Sequence, residues 1–293
     1  MISRRLGNSA GDLALIHVLL QQSESADSLG DFEEAIQLPT VQATVRLWED
    51  GGLLGAAYVD DYSNLWFVIR PEAALVDTLA AEMVQWGLAC VQVRNSDGEA
   101  GATLDCVCEA QDTDRIRLLK TNGFIRQDVR TLKYERRLEQ PVAPIKLPDG
   151  YDIRCAAGEA EVDTLTELHR AAFETDQMMA EYRLVMMCAP GYRADLDMVV
   201  TAPDGCLAAF CVGGVEEDRA GWLGKTDPIG THPDHRRKGL AQAVVSEVLR
   251  RLQAEGIRRV ALGTSSDNLA MQRLADSLEF KIVSEKVWLS KPV

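Results

Sequence analysis

The run Arg236-Arg237-Lys238-Gly239-Leu240-Ala241 constrains this chain more than any other, because it joins a strand-like stretch to a long amphipathic helix. The first N–H groups of a helix have no partner within it and sit at the positive end of the helix dipole. Gly239 lets the backbone approach a bulky anion with no Cβ between them, and Ala241 keeps the next turn small. Arg236, Arg237 and Lys238 add positive charge. The spacing Arg-x-x-Gly-x-Ala therefore predicts a pyrophosphate cradle. It is neither of the better-known phosphate loops. A P-loop requires a second glycine five residues earlier and a following Lys-Ser/Thr, and a dinucleotide fingerprint requires three glycines at fixed offsets.

The flanking residues place the cradle in a strand–loop–helix–strand unit. Leu240, Val244, Val248 and Leu252 recur at the helical period beside Ala241, Val245 and Leu249, with Glu247, Arg250 and Arg251 on the other face. Gly256 ends that helix and Val260-Ala261-Leu262 resumes a strand. Farther on come Asn268, Leu274, Leu278 and Phe280. With Thr231-His232-Pro233 before the cradle, these residues resemble the GNAT acetyltransferase superfamily. Pro233, Arg236, Gly239, Ala241, Asn268, Leu274, Leu278 and Phe280 follow its order and spacing over the last quarter of the chain. Two positions depart from it: Ala275 stands where the superfamily has a Tyr, often a general acid, and Glu279 where it has a Gly.

The 293 residues suffice for two ordinary domains. A Pro-rich stretch, 139–150, divides them, and the two sides repeat each other. Trp48 to Val59 reads like Val200 to Val212, each a strand, an Asp-Gly turn and a strand of small residues. Arg117 to Phe124 mirrors Arg273 to Phe280, 156 residues later (124 to 280). A short helix from Ala73 to Trp86 is expected before Gly87. The interval from Pro71 to Gly87 is seven positions shorter than that from Pro233 to Gly256, about the length of the phosphate loop.

The expected fold is α/β: two tandem GNAT-like domains, each a mixed, mostly antiparallel sheet flanked by helices. The architecture is similar to that of the mycothiol synthases. Residues 1–138 form a degenerate domain without the phosphate loop, 139–150 a linker, and 151–293 the domain with the acyl-CoA site. An unrelated α/β first domain is the competing reading. In the second half, helices are expected near 158–175, 178–188, 238–255 and 268–278. Strands are expected near 196–202, 206–214, 220–230, 258–264 and 282–290.

The formal charge of −14 argues against nucleic acid as the main partner, which needs a basic face, and leaves room for a cationic small molecule; an acidic balance that merely aids solubility is the competing reading. No run reaches the roughly 18–20 apolar residues of a membrane span, and no signal-peptide core follows Met1, so a cytoplasmic protein is expected. The seven cysteines lack zinc spacing, and no metal is expected. A homodimer is left open.

The resemblance implies transfer of an acetyl or other short acyl group from acetyl-CoA, or another acyl-CoA, to the amine of a small molecule. It implies cofactor contacts from Ile229, Thr231, Arg236, Arg237, Lys238, Gly239, Leu240, Ala241 and Asn268. Asn268 is equally suited to cap its helix. Asp227 is the first choice for the base that deprotonates the amine; it is equally suited to cap local backbone. Glu216, Glu217 and Asp218 are expected in the preceding turn. Phe173 and Tyr182 are expected to bind the acceptor, within an apolar set that includes Met178, Met179, Met186 and Met187, with Tyr192 and Arg193 at the entrance. His232 and His235 are expected as exposed loop residues. The alternatives are a non-catalytic acyl-CoA-binding protein with a degenerate active site, and an interaction module.

Overall fold

The computed structural model describes residues 1–7, 10–23, 32, 35–71, 75–95, 102–218 and 220–293. Residues 73 and 74, in the first-half helix expected from the sequence, lie outside them. The chain forms two compact units, Met1–Thr131 with Glu285–Val293, and Leu132–Ser284. The stretch 139–150 thus lies inside the second unit. There Val142 is buried and its N–H donates to Gln253 Oε1 at 3.1 Å. The final residues of the chain complete the first unit.

In the first unit, β1 (Ile2–Arg5), β2 (Arg46–Glu49), β3 (Leu53–Val59) and β4 (Leu65–Ile69) form an antiparallel sheet in that order. Helices α1 (Ala10–Gln22) and α2 (Pro39–Thr44) precede β2, and α3 (Val76–Arg94) follows β4. Then come β5 (Thr103–Glu109), α4 (Thr113–Thr121) and the start of β6 (Ile125–Arg137). The last strand, β12 (Lys281–Pro292), pairs antiparallel with β5 from Lys286↔Glu109 to Pro292↔Thr103. Helix α3 runs past the end expected at Trp86, because Gly87 lies within it. A Cβ at Gly87 would meet Leu104 Cδ2 at 3.0 Å and Leu65 Cδ1 at 3.3 Å, so this glycine serves close helix–sheet packing. The seven-residue shortfall inferred from Gly87 therefore does not mark a lost loop.

The second unit continues with β7 (Asp152–Cys155), α5 (Val162–Phe173), α6 (Ala180–Cys188), β8 (Asp197–Thr201), β9 (Leu207–Asp218) and β10 (Gly221–Thr231). It ends with α7 (Leu240–Ala254), β11 (Arg259–Ser265) and α8 (Leu269–Ser277). Its strands run in the order β6-β11-β10-β9-β8-β7. The apolar stripe read from the sequence, Leu240, Val244, Val248 and Leu252, is at most 2% exposed. It joins Met198, Val200, Ala209 and Leu262 in one core. Burying each such aliphatic side chain stabilises the unit by roughly 1.5–3 kcal/mol. Gly213 and Gly224 make room for that helix. A Cβ at either would come within 2.7 Å of Val248 Cγ1 or 2.8 Å of Leu252 Cδ1.

Strand β9 is longer than expected. Glu216, Glu217 and Asp218 lie on it rather than in a turn, because β9 and β10 stay paired to Gly221↔Asp218. Glu216 is 2.8 Å from Lys225, and Asp218 is 2.7 Å from Arg259, so these carboxylates brace the sheet.

The internal repeat extends to local geometry. Strand β5 and helix α4 recur as β11 and α8 after 156 residues (103 to 259, 113 to 269). Asp112 Oδ1 accepts the N–H of Arg115, and Asn268 Oδ1 accepts that of Met271, each capping its helix. At the other end Gly123 has φ +85°, and Glu279, its counterpart, φ +61°. A side chain in the left-handed region costs about 1–2 kcal/mol, and the exposed Glu279–Arg136 contact at 2.8 Å recovers little of that. Glu279→Gly is expected to raise unfolding free energy by about 1 kcal/mol, measured by denaturant titration; an unchanged or lowered value would refute the strain.

Candidate active site

Strands β10 and β11 are parallel, yet their register covers only Gly224↔Val260 and Lys225↔Ala261. Beyond these pairs a bulge in β10, between Thr226 and Ile229, shifts its register with β9. From Asp227 onward the edge of β10 facing β11 has no registered partner. Successive N–H groups in a strand point to alternate sides. The N–H of His232 donates to Ala208 on β9, so those of Ile229 and Thr231 point to the open edge. Asp227 is exposed at the start of that opening. Its Oδ2 lies 3.4 Å from where a Cβ on Gly263 of β11 would be, so Gly263 leaves space for the carboxylate.

The loop from β10 to α7 closes the far side. Arg237 and Gly239 both have positive φ, +61° and +77°. A Cβ built on Gly239 meets nothing within 4 Å, so the backbone faces open space. The first N–H groups of α7, from Leu240 to Gln242, have no acceptor inside the helix. Left-handed turns leading into orphan helix donors form an anion-binding concavity. The Leu240 side chain is buried in the core, so only its backbone belongs to this surface.

Two of the three basic side chains are committed to holding the loop. Arg236 donates from Nη2 to Ala172 O at 3.0 Å, from Nε to Thr231 O at 3.4 Å, and reaches Glu174 at 3.2 Å. It thereby ties the cradle to the C-terminus of α5. Lys238 Nζ donates to the Tyr151 hydroxyl at 2.9 Å and to Asp234 O at 3.3 Å. Tyr151 also meets His235 Nδ1 at 2.9 Å, so His235 is half-buried in a polar cluster rather than a plain loop residue. Arg237 is exposed. Asn268 uses its Oδ1 as the α8 cap.

Helices α5 and α6 cover the other face of the sheet. Phe173 is 47% exposed and stacks on His169 at 4.5 Å, and His169 stacks on Phe210 at 5.7 Å. Burial, and then the Arg183 charge, lowers the pKa of His169. Gly230 allows this contact, since a Cβ there would fall 2.4 Å from Phe210 Cε1 and 2.8 Å from Ala172 Cβ. Tyr182 is half-buried on α6. Beneath that helix, Arg183 and Asp197 form a buried ion pair. Tyr192 donates to the same Asp197 oxygen at 2.6 Å, and burial followed by this hydrogen bond raises its pKa. Arg193 bonds Asp195 and Glu255, each at 2.6 Å. Tyr192 and Arg193 thus brace the fold rather than the entrance where the sequence suggested them.

Ala275 is fully buried in the second unit's core. Among nearby hydroxyls, Ser265 accepts the N–H of Asp267 at 3.2 Å and Ser277 donates to Leu274 O at 2.7 Å. Tyr151, Arg183 and Asp197 carry contacts that sequence reasoning missed, because no local pattern marks them: Arg183 and Asp197 are 14 residues apart, and Tyr151 and Lys238 are 87 apart. Among the described residues no group of three or more His, Cys, Asp or Glu side chains has the geometry to hold a metal, and no helix is long and apolar enough to cross a membrane.

A splayed strand pair, a left-handed loop and an orphan helix N-terminus are the elements that the acetyltransferase (GNAT) family model matches over residues 162–280. This segment is similar to that family. An acetyltransferase of Sodalis glossinidius is 29% identical over 85 residues, covering 29% of this chain and 60% of the relative. One from Pectobacterium atrosepticum is 33% identical over 90 residues, covering 30% and 61%. The chain thus spans about three-fifths of the length of these relatives. In fold, a GCN5-related N-acetyltransferase from Sphaerobacter thermophilus superposes over 99% of this chain and 95% of its own, with a TM-score of 0.74 at 20% identity. A tandem GNAT protein from the clavulanic acid biosynthesis pathway covers 99% and 98%, with a TM-score of 0.73 at 16% identity. The fold of these two proteins therefore extends over 99% of the chain.

Removing one partner of a buried ion pair strands the other, at about 3–5 kcal/mol. Asp197→Ala is expected to lower the stability of the second unit by that amount in chemical denaturation. A loss below about 1 kcal/mol would show that Asp197 does not anchor α6.

Proposed function

We propose that the second unit transfers an acetyl or other short acyl group from acyl-CoA to the amine of a small molecule. The observation that carries this reading is the open edge of β10 ending at the Gly239 cradle. The N–H groups from Arg237 to Ala241 suit the pyrophosphate, and those of Ile229 and Thr231 suit the acyl carbonyl. Arg236 and Lys238 hold the loop in shape, and Arg237 supplies charge. Asn268 fixes the start of α8 beside the same opening. Another solved relative in fold, the Saccharomyces cerevisiae N-myristoyltransferase with bound myristoyl-CoA, superposes with a TM-score of 0.64 at 11% identity, over 99% of this chain and 78% of its own.

The reaction needs a neutral amine, whereas a free amine is mostly protonated near pH 7. Asp227 removes that proton, directly or through one water. The amine nitrogen then bonds to the thioester carbonyl carbon while N–H donors of Ile229 and Thr231 stabilise the charge on its oxygen. The C–S bond breaks, the thiolate leaves, and the nitrogen sheds its remaining extra proton to water as the amide forms. A thiol pKa of roughly 8.5 allows departure without a dedicated acid, consistent with the buried Ala275. Phe173 and Tyr182 line the acceptor side, and exposed Asp176 and Glu181 nearby suit a cationic amine.

One observation favours the alternative, a non-catalytic acyl-CoA-binding protein: Ala275 supplies no hydroxyl, and Ser265 and Ser277 are hydrogen-bonded to backbone. The two readings separate in an amine-panel assay with acetyl-CoA. Asp227→Asn is expected to lower turnover at least tenfold while leaving CoA affinity within twofold, a barrier increase of about 1.4 kcal/mol. Gly239→Glu is expected to abolish binding. Undiminished turnover in Asp227→Asn removes that residue from the mechanism, and saturable CoA binding without turnover of any amine favours the binding protein.

A further inference from the structure

The first unit holds a cavity of about 770 Å³ that the acyl-transfer reading does not use. It lies among the end of β4, the end of β5, the first turns of α4 and Lys286. Its volume falls within the roughly 300–1,000 Å³ typical of small-molecule sites. Several of the charges in its wall are already engaged. Arg115 donates to Phe67 O at 3.0 Å and sits 4.1 Å above the Phe67 ring. Arg117 lies 3.9 Å from Asp77 and 3.8 Å from Asp114. Asp112 caps α4.

Three side chains in the wall carry a buried atom without a hydrogen-bond partner, and one of them, Arg115, is engaged through another of its nitrogens. Arg70 Nε and Glu109 Oε2 are both buried, and neither has a hydrogen-bond partner. Leaving a buried polar group unpaired costs about 1–3 kcal/mol. Arg70 and Glu109 thus place one cationic and one anionic side chain in the wall of the same cavity, complementary to a ligand carrying both charges. We propose that the first unit binds a small zwitterion of the amino-acid class, its carboxylate at Arg70 and its ammonium at Glu109.

The same wall disfavours a polyphosphate. Asp77, Glu109, Asp112 and Asp114 line it, and Asp112 stands at the helix start where the second unit has neutral Asn268. No Arg-x-x-Gly-x-Ala separates β4 from α3. This inference is independent of the acyl-transfer reading, since none of its residues belongs to the second unit.

The test is calorimetric titration of the full chain with each of the twenty free amino acids and with glycylglycine. The controls are the N-acetyl and amide forms of any that bind. At least one free zwitterion is expected to saturate a single site, and both blocked forms are expected to bind at least tenfold more weakly. Arg70→Gln and Glu109→Gln are each expected to weaken binding at least tenfold, whereas Gly239→Glu leaves it unchanged. Because the substituted groups have no partner in the fold, neither variant is expected to lower the melting temperature, which separates lost binding from lost folding. Absence of saturable binding by every zwitterion, or binding that persists in both variants, would overturn the proposal. So would a second acetyl-CoA site that disappears in Arg70→Gln.

Discussion

Two residue pairs, Gly224↔Val260 and Lys225↔Ala261, hold β10 and β11 together, and the functional geometry depends on the ladder stopping there. A parallel ladder that continued would spend the N–H groups of Ile229 and Thr231 on β11. The bulge after Thr226 turns β10 aside while β9 keeps hold of its other edge as far as Thr231↔Ala209. The outcome is a strand paired along its β9 edge and without a registered partner on its β11 edge from Asp227 onward. Helix α7 fixes the far side, since its buried stripe allows only one placement of its N-terminus relative to the sheet.

The local conformation of the loop follows from the same economy. Left-handed residues at 237 and 239 bracket Lys238, and only one of them is glycine. Strain at Arg237 persists because the loop is held on both sides, by Arg236 against α5 and by Lys238 against Tyr151. Arg236 and Lys238 thus act as a clasp on the loop. A clasped loop is already in its binding shape, so a ligand meets little ordering cost.

Features encoded by near neighbours were readable in the sequence, and those encoded across the fold were not. The apolar period of α7, its stop at Gly256 and the 156-residue repeat are all local patterns, and the elements lie within a few residues of where they were expected. Gly87 misled because a mid-helix glycine chosen for close packing looks, in one dimension, like a helix stop. Glu216 to Asp218 misled because charged residues suggest a turn, yet Lys225 and Arg259 on neighbouring strands neutralise two of them. The Arg183–Asp197–Tyr192 cluster and the Tyr151–Lys238 contact depend on distant partners, for which one sequence offers no signal.

The central claim is that this loop and strand edge form a single acyl-CoA site. Calorimetric titration of the full chain with acetyl-CoA tests it most directly. The account predicts saturable binding with one site per chain, a site that an excess of free CoA displaces. Absence of saturable binding at millimolar acetyl-CoA would contradict it.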